Sequence, residues 1–275
     1  MILPTSRRPH TVGYSIASVL RQTVSDFTLH VVGDGCDEKT EEVCRSFDDP
    51  RVRFHRFPKG PGFGYAHRNS IFRDSSAPMI AYTGDDDLLF PDHLERGARA
   101  LEERTLTLAA FRSAQVRFPD DLDPHFFAFD WRPAALSRFL TRWFIGSANM
   151  IHRRTLFDRI GFWDESLFRF GDRDFYQRAA ASGEPVEFLA ETTQLRFFAA
   201  QWDRHYAALA EPPQKKYLDL LGDAAWRDDV RRRAAASRRP PAVRLAQARD
   251  FLLFAVKSGP KFARLMAGRV ARSRR

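Results

Sequence analysis

Apolar positions along the chain recur with two periods, and the switches between them mark elements. The stretch "SIASVLRQT" (15–23) sets Ile16, Val19 and Leu20 on one helical face. "RDFYQRAAASG" (173–183) reads as another helix, closed by glycine. Short apolar runs interleave with these. "MILP", "FTLHVV" (27–32), "RVRFHRF" (51–57), "APMIAYT" (77–83), "TLAAFRSAQVRF" (107–118), "GSANMIHRR" (146–154) and "PVEFLA" (185–190) read as strands. Residues 41–47, the stretch entered through the glycine-rich "GPGFGYAHRNSIF", the residues opened by Pro91, and "PAALSRFLTRWF" (133–144) read as helices. Strands alternating with helices predict an α/β fold with a mostly parallel sheet covered on both faces.

After about residue 206 the composition shifts to Ala, Arg and Leu with helical spacing, broken at Pro240 and Pro241. A domain edge is expected there, dividing residues 1–205 from a helical, basic extension over 206–275. From residue 227 onward 15 Lys and Arg face 3 Asp and Glu, a surplus larger than the whole-chain net charge of +9. The remainder of the chain is therefore net acidic, and the basic character gives no reason to read the core as a nucleic-acid binder. The tail combines helical apolar spacing with many cations, which fits peripheral contact with an anionic membrane surface. A helix packed on the main domain with its charges in water is the alternative.

The 275 residues, 44% of them hydrophobic, can bury a substantial core. No apolar run approaches the roughly 20 residues that a membrane-spanning helix needs, and "MILPTSRRPH" lacks a secretory leader. Cys36 and Cys44 cannot build a disulfide framework and read as small hydrophobes, so a reduced, cytoplasmic setting is expected.

The candidate chemistry begins at "YTGDDDLLFPDHLE" (82–95), where Asp85, Asp86 and Asp87 directly follow an apolar strand. Adjacent carboxylates repel. At the carboxyl end of a parallel strand, where ligands gather, a hard cation such as Mn²⁺ or Mg²⁺ would relieve them while gripping a nucleotide diphosphate. Acids capping the helix opened by Pro91 are the simpler alternative.

The order "PTSRR … SIASVLRQTVSDFTLHVVGDGCDEKT … GFGYAHRN … APMIAYTGDDDLLFPDHLE … GFWDESLFRFGDRDFYQRAAASG" resembles the family 2 glycosyltransferases over about residues 1–198. The resemblance implies a GT-A, Rossmann-like fold, with a nucleotide-binding half over about 1–105 and an acceptor-binding half over about 106–205. It implies inverting, metal-dependent transfer from a nucleotide-diphosphate sugar, a UDP-sugar being favoured, to a hydroxyl of a glycan or lipid-linked acceptor in envelope or polysaccharide synthesis. Pro4 and Thr5 would border the nucleoside. Asp34 would accept the imide N–H of the base, because a carboxylate is acceptor-only; as a turn residue in "GDGC" it needs no such role. Arg68, in "AHRN", would approach the base or the phosphates, with Gly60, Gly62 and Gly64 permitting close backbone approach; a solvated helix arginine is the plainer reading. Asp85 and Asp86 would lie near the ribose and diphosphate, with Asp87 the favoured metal ligand and Asp85 a second.

Asp172 would take the proton of the acceptor hydroxyl as its oxygen attacks the anomeric carbon. Asp164 and Asp174, with Trp163 offering a ring face to a sugar, would lie on the acceptor side; acids that only cap a helix and a buried aromatic are the alternatives. Three positions depart from the pattern: Gly33, Gly84 and Gly171 stand where similar enzymes often carry an acid. Neither Gln194 nor Gln201 begins the Q-x-x-R-W motif of processive members, which favours one sugar per encounter. Two other readings stay open, a nucleotide-binding assembly partner with an idle site and a sugar nucleotidyltransferase; "PTSRRPHTVG" lacks the glycine-rich loop of the latter. His67, His93 and His152 show no zinc spacing, and Phe126, Phe127 and Phe129 read as core.

Overall fold

A computed structural model describes residues 1–117, 125–129, 146–197 and 211–237. The first half is a run of strand–helix units: β1 (Ile2–Thr5), α1 (Val12–Leu20), β2 (Leu29–Asp34), α2 (Glu38–Arg45), β3 (Val52–Phe57), α3 (Tyr65–Asp74), β4 (Met79–Ala81), β5 (Leu88–Leu89) and α4 (His93–Glu103). The second half continues with β6 (Leu108–Arg117), β7 (His125–Phe129), a 3₁₀ turn at Ser147–Asn149, β8 (Met150–Arg153), α5 (Leu156–Ile160), α6 (Gly171–Ala181), β9 (Val186–Arg196), α7 (Pro213–Leu220) and α8 (Ala224–Ala236).

β1, β2 and β3 form a parallel sheet in the order β1–β2–β3. Its β1 edge meets the second sheet through a parallel bridge between Ile2 and Tyr82, where the Thr83 N–H donates to the Ile2 carbonyl at 3.0 Å. The second sheet runs β4–β8–β6–β9–β5, with β7 on the outer half of β6. Here the expectation of mostly parallel pairing gives way to mixed pairing: β6 and β9 are parallel, while β8 and β5 run antiparallel to their neighbours.

Helices on both faces explain why β1 and β2 are apolar without alternation. Ile2 and Val32 point into a cluster with Tyr65, Phe72, Trp163 and Phe175. Leu3 and Val31 point to the other face, against Val12, Ile16 and Val19 of α1. α2 starts three residues earlier than its apolar spacing indicates, because the Asp37 side chain caps it by accepting the Thr40 N–H at 3.0 Å. β5 and α5 are too short to leave a periodic signal.

Met1–Ala236 is one compact unit. The domain edge expected near 205 falls in 198–210, and the helix expected over 133–144, the side chains of Phe127 and Phe129, and the tail beyond 237 likewise lie outside the described residues. α7 and α8 bury Tyr217, Leu218, Leu221, Val230 and Ala234 against Leu88, Ala114, Phe126 and Leu195 of the second sheet. Arg231 of α8 donates to both carboxylate oxygens of Asp92 at 2.9 and 2.7 Å and to the Thr192 carbonyl at 3.1 Å. Among the described residues, no helix is long and apolar enough to cross a membrane.

Arg231→Ala deprives the Thr192 carbonyl of this donor and leaves Asp92 with Arg96, so urea denaturation should show a loss of about 1–3 kcal/mol. Arg231→Lys should recover only part of it, since an ammonium cannot reproduce the two-pronged grip.

Candidate active site

The carboxyl ends of β1, β2 and β4 converge, as the sheet order requires. Thr5, buried at the end of β1, donates from Oγ1 to Asp85 Oδ2 at 2.9 Å. Pro4 lies half-buried beside it. Ser6 Oγ donates to the Asp34 carbonyl at 2.9 Å, tying the end of β1 to the end of β2.

Asp34 is buried, and the glycine-rich loop wraps its carboxylate. Oδ1 accepts the Gly60 N–H at 2.7 Å, Oδ2 accepts from Lys59 Nζ, and His67 Nε2 stands 3.5 Å away. Gly64, in the left-handed region at φ 66°, lets the loop turn into α3 beside that carboxylate; a Cβ there would sit 3.0 Å from the Asp34 Cγ. Gly33 is packed as tightly, its missing Cβ falling 3.0 Å from Cys36 Sγ and from the Phe54 ring, so a side chain at that position would have to press these neighbours aside.

The three aspartates diverge. Asp87 is buried, with Oδ2 accepting from Gln194 Nε2 at 2.8 Å and Oδ1 accepting the Phe197 N–H at 3.1 Å. The carboxylate favoured from sequence as the metal ligand is thus the one turned inward, where it anchors the loop to β9. Asp85 and Asp86 stay at the rim. The Asp86 carbonyl accepts from Gln214 Nε2 of α7 at 3.0 Å, and Arg8 Nε stands 4.0 Å from Asp85 Oδ1. Gly84 is constrained too, since a Cβ there would meet the Asp86 and Asp87 carboxylate oxygens at 3.1 Å. Burial first and the Asp86 charge second push Asp85 up to about 7 and Asp87 up to about 8. Among the described residues no three His, Cys, Asp or Glu side chains form a metal cage. The Asp85 and Asp86 carboxylates at the rim are hard oxygen donors, and they fit an ion that draws its other ligands from a diphosphate and water.

Arg68 is buried in α3, its guanidinium 5.0 Å from the Tyr65 ring centroid and 5.3 Å from that of Trp163. It donates to the Phe63 carbonyl at 2.7 Å, and its Nε has no partner among the described residues. Burial works against its charge, while the carboxylates of Asp172 and Asp34 work for it.

Asp172 stands in the first turn of α6, its Oδ2 accepting the Ser147 N–H at 3.1 Å. Gly171 is explained by a neighbour, for its Cβ would lie 2.5 Å from the Tyr65 ring. The acceptor-side expectations change. Trp163 is 2% exposed, stacked between Tyr65 at 5.7 Å and Phe175 at 4.9 Å, each within 8° of parallel, so neither face is open to a sugar. Asp174 pairs with Arg178 at 2.8 Å, and Arg178 in turn donates to the Ile160 and Phe162 carbonyls; the acid braces a turn. Asp164 accepts from the Ser166 N–H and Oγ at 2.9 and 2.6 Å, closing its own loop.

Sequence reasoning gave no role to Lys59, Tyr65 or Arg8, and it weighed Gln194 only against the Q-x-x-R-W motif. Lys59 left one signal, a lone cation beside the glycines of "FPKGPGFG". Tyr65 left none, because its contact partner lies 106 positions further along the chain.

The chain matches the model for Glycosyl transferase family 2 over residues 1–161. It belongs to that family. Among relatives of this family 2 member, the uncharacterized glycosyltransferase YwdF of Bacillus subtilis (strain 168) is 25% identical over 229 residues, 81% of this chain and 82% of that protein. The UDP-Glc:alpha-D-GlcNAc-diphosphoundecaprenol beta-1,3-glucosyltransferase WfgD of Escherichia coli is 30% identical over 97 residues, 34% of this chain and 37% of that protein. Two solved structures share the GT-A fold. S. aureus TarS 1-349 in complex with UDP-GlcNAc has a TM-score of 0.55 at 14% identity, covering 83% of this chain and 69% of that one. The mannosyltransferase PcManGT from Pyrobaculum calidifontis, in complex with GDP-Man and Mn²⁺, has a TM-score of 0.54 at 16% identity, covering 92% and 79%.

The raised carboxylates of this glycosyltransferase set a pH dependence. Asp85 and Asp87 are favoured in their protonated forms by folding, so their contribution is full near pH 4 and is lost as pH rises toward about 8. Asp87→Asn should flatten that alkaline loss of stability in denaturation curves recorded between pH 4 and 8, because an amide carries no charge to bury.

Proposed function

We propose that this family 2 glycosyltransferase transfers a sugar with inversion from a UDP-sugar to a hydroxyl of a glycan or lipid-linked acceptor, one residue per encounter, in envelope or polysaccharide synthesis. The observation that carries the reading is the placement of Asp172: its carboxylate accepts the Ser147 N–H in the first turn of α6, one residue after the Gly171 N–H held by Tyr65, the ring over which the buried Arg68 lies.

In this reading Thr5, Asp34 and Arg68 hold the nucleotide, and Lys59 moves from Asp34 toward the phosphates when the base takes its place. Asp172 accepts the proton of the acceptor hydroxyl. The new bond from that oxygen to the anomeric carbon forms as the bond to the diphosphate oxygen breaks, and one displacement inverts the centre. Asp85 and Asp86 would hold a Mn²⁺ or Mg²⁺ ion, which when bound supplies positive charge to the departing diphosphate. The UDP-Glc in the name of the E. coli protein and the UDP-GlcNAc bound to the S. aureus protein support a UDP donor, and the E. coli name also supports a diphosphate-lipid acceptor. The cationic stretch from residue 227 supports an acceptor presented at an anionic membrane surface.

Asp172→Asn should lower the rate of sugar release from UDP-GlcNAc or UDP-Glc by roughly 10²–10⁴-fold, while calorimetry finds UDP affinity unchanged. Binding without turnover in the wild type would favour the idle-site reading instead. Mn²⁺ with UDP at about 100 times its Kd should add about 2.7 kcal/mol of stability, and Asp85→Ala combined with Asp86→Ala should abolish the manganese-dependent part of the thermal shift.

A further inference from the structure

Gly171 stands where the resemblance leads one to expect an acid, and the space such a side chain needs is filled by a ring from α3. A Cβ on Gly171 would lie 2.5 Å from Cε1 and Cζ of Tyr65 and 2.8 Å from its hydroxyl oxygen. That ring cannot swing aside: it is 3% exposed, Trp163 stacks on it, Phe175 of α6 stacks on Trp163, and the Arg68 guanidinium stands over it.

The same tyrosine makes a polar contact. Its hydroxyl oxygen accepts the Gly171 N–H at 2.9 Å. This is the first N–H of α6, one of four that no intrahelical carbonyl can satisfy. The residue at the cap position, Phe170, supplies no side-chain hydrogen bond and sits in the left-handed region at φ 63°, a conformation unusual and strained for a bulky residue. The cap therefore comes from another element, and the residue after the capped N–H is Asp172.

We propose that Tyr65 is a positioning residue for Asp172: its hydroxyl fixes the first turn of α6 and so aims the carboxylate, and glycine at 171 is the condition for that contact. The role rests on the reading of Asp172 as the base. It also couples the two substrates' sides of the site, since Arg68, one helical turn from Tyr65, packs on the same ring. A family 2 enzyme of this kind replaces one acid of a pair with a phenol that orients the other.

The test uses UDP-GlcNAc hydrolysis with Mn²⁺ on the full chain. Tyr65→Phe keeps the ring and deletes the cap. It should lower kcat about tenfold, the equivalent of one ordinary hydrogen bond, leave the KM for UDP-GlcNAc and the melting temperature nearly unchanged, and speed amide hydrogen exchange at Gly171. Gly171→Ala should cost activity in the wild type and add little in a Tyr65→Leu background, where the smaller side chain gives the methyl room. A Tyr65→Phe enzyme with wild-type kcat and unaltered exchange would overturn the proposal, as would fully additive losses in the double variant. Wild-type protein inert toward UDP-GlcNAc and UDP-Glc alike, with exchange at Gly171 still accelerated in Tyr65→Phe, would remove the base assignment and the positioning role with it; an active enzyme with an indifferent Tyr65 removes only the latter.

Discussion

The bridge between Ile2 and Tyr82, with the Thr83 N–H on the Ile2 carbonyl, is the constraint on which the site depends. It joins a sheet that is purely parallel to one that is mixed, and it sets the register of β4 against β1. With that register fixed, the end of β1 and the acidic loop after β4 must meet, and Thr5 reaches Asp85. β2 lies on the other side of β1, so Asp34 arrives at the same rim without any further device. A slip of one residue at the bridge would turn Tyr82 out of the core and the carboxylates away from the threonine.

The second half of the site is assembled by stacking. Tyr65, Trp163 and Phe175 form a column that crosses from α3, through the loop before α6, into α6 itself. A column of rings resists shear because each plane must move with its neighbours, and burial adds roughly 1.5–3 kcal/mol for each large side chain. Arg68 is held against this column, over the rings of Tyr65 and Trp163, with the Phe63 carbonyl as acceptor for its guanidinium.

Legibility in the sequence tracked the kind of signal each feature leaves. The alternation of strands and helices and the order of the acidic and glycine-rich segments are local, and they led to the α/β architecture and to Asp34, Arg68 and Asp172 as candidates. Pairing direction in the second sheet depends on contacts far apart in sequence and could not be read from the periods. Asp85, Asp86 and Asp87 are identical neighbours in an irregular loop, so nothing along the chain says which one turns inward; Gln194, more than a hundred positions away, decides it for Asp87. Trp163 has the composition of a sugar platform and the surroundings of a core residue, and only the stack distinguishes the two.

Gln214 on α7 donates to the Asp86 carbonyl, and Phe197 at the end of β9 holds Asp87. The acidic loop is thus gripped from behind by parts of the chain lying beyond the family-wide portion. A change in the segments C-terminal to that portion would give the loop a different clamp, and with it a different stiffness around Asp85 and Asp86. Substitutions in the trailing helices can thus retune the acidic loop without replacing any of its own residues.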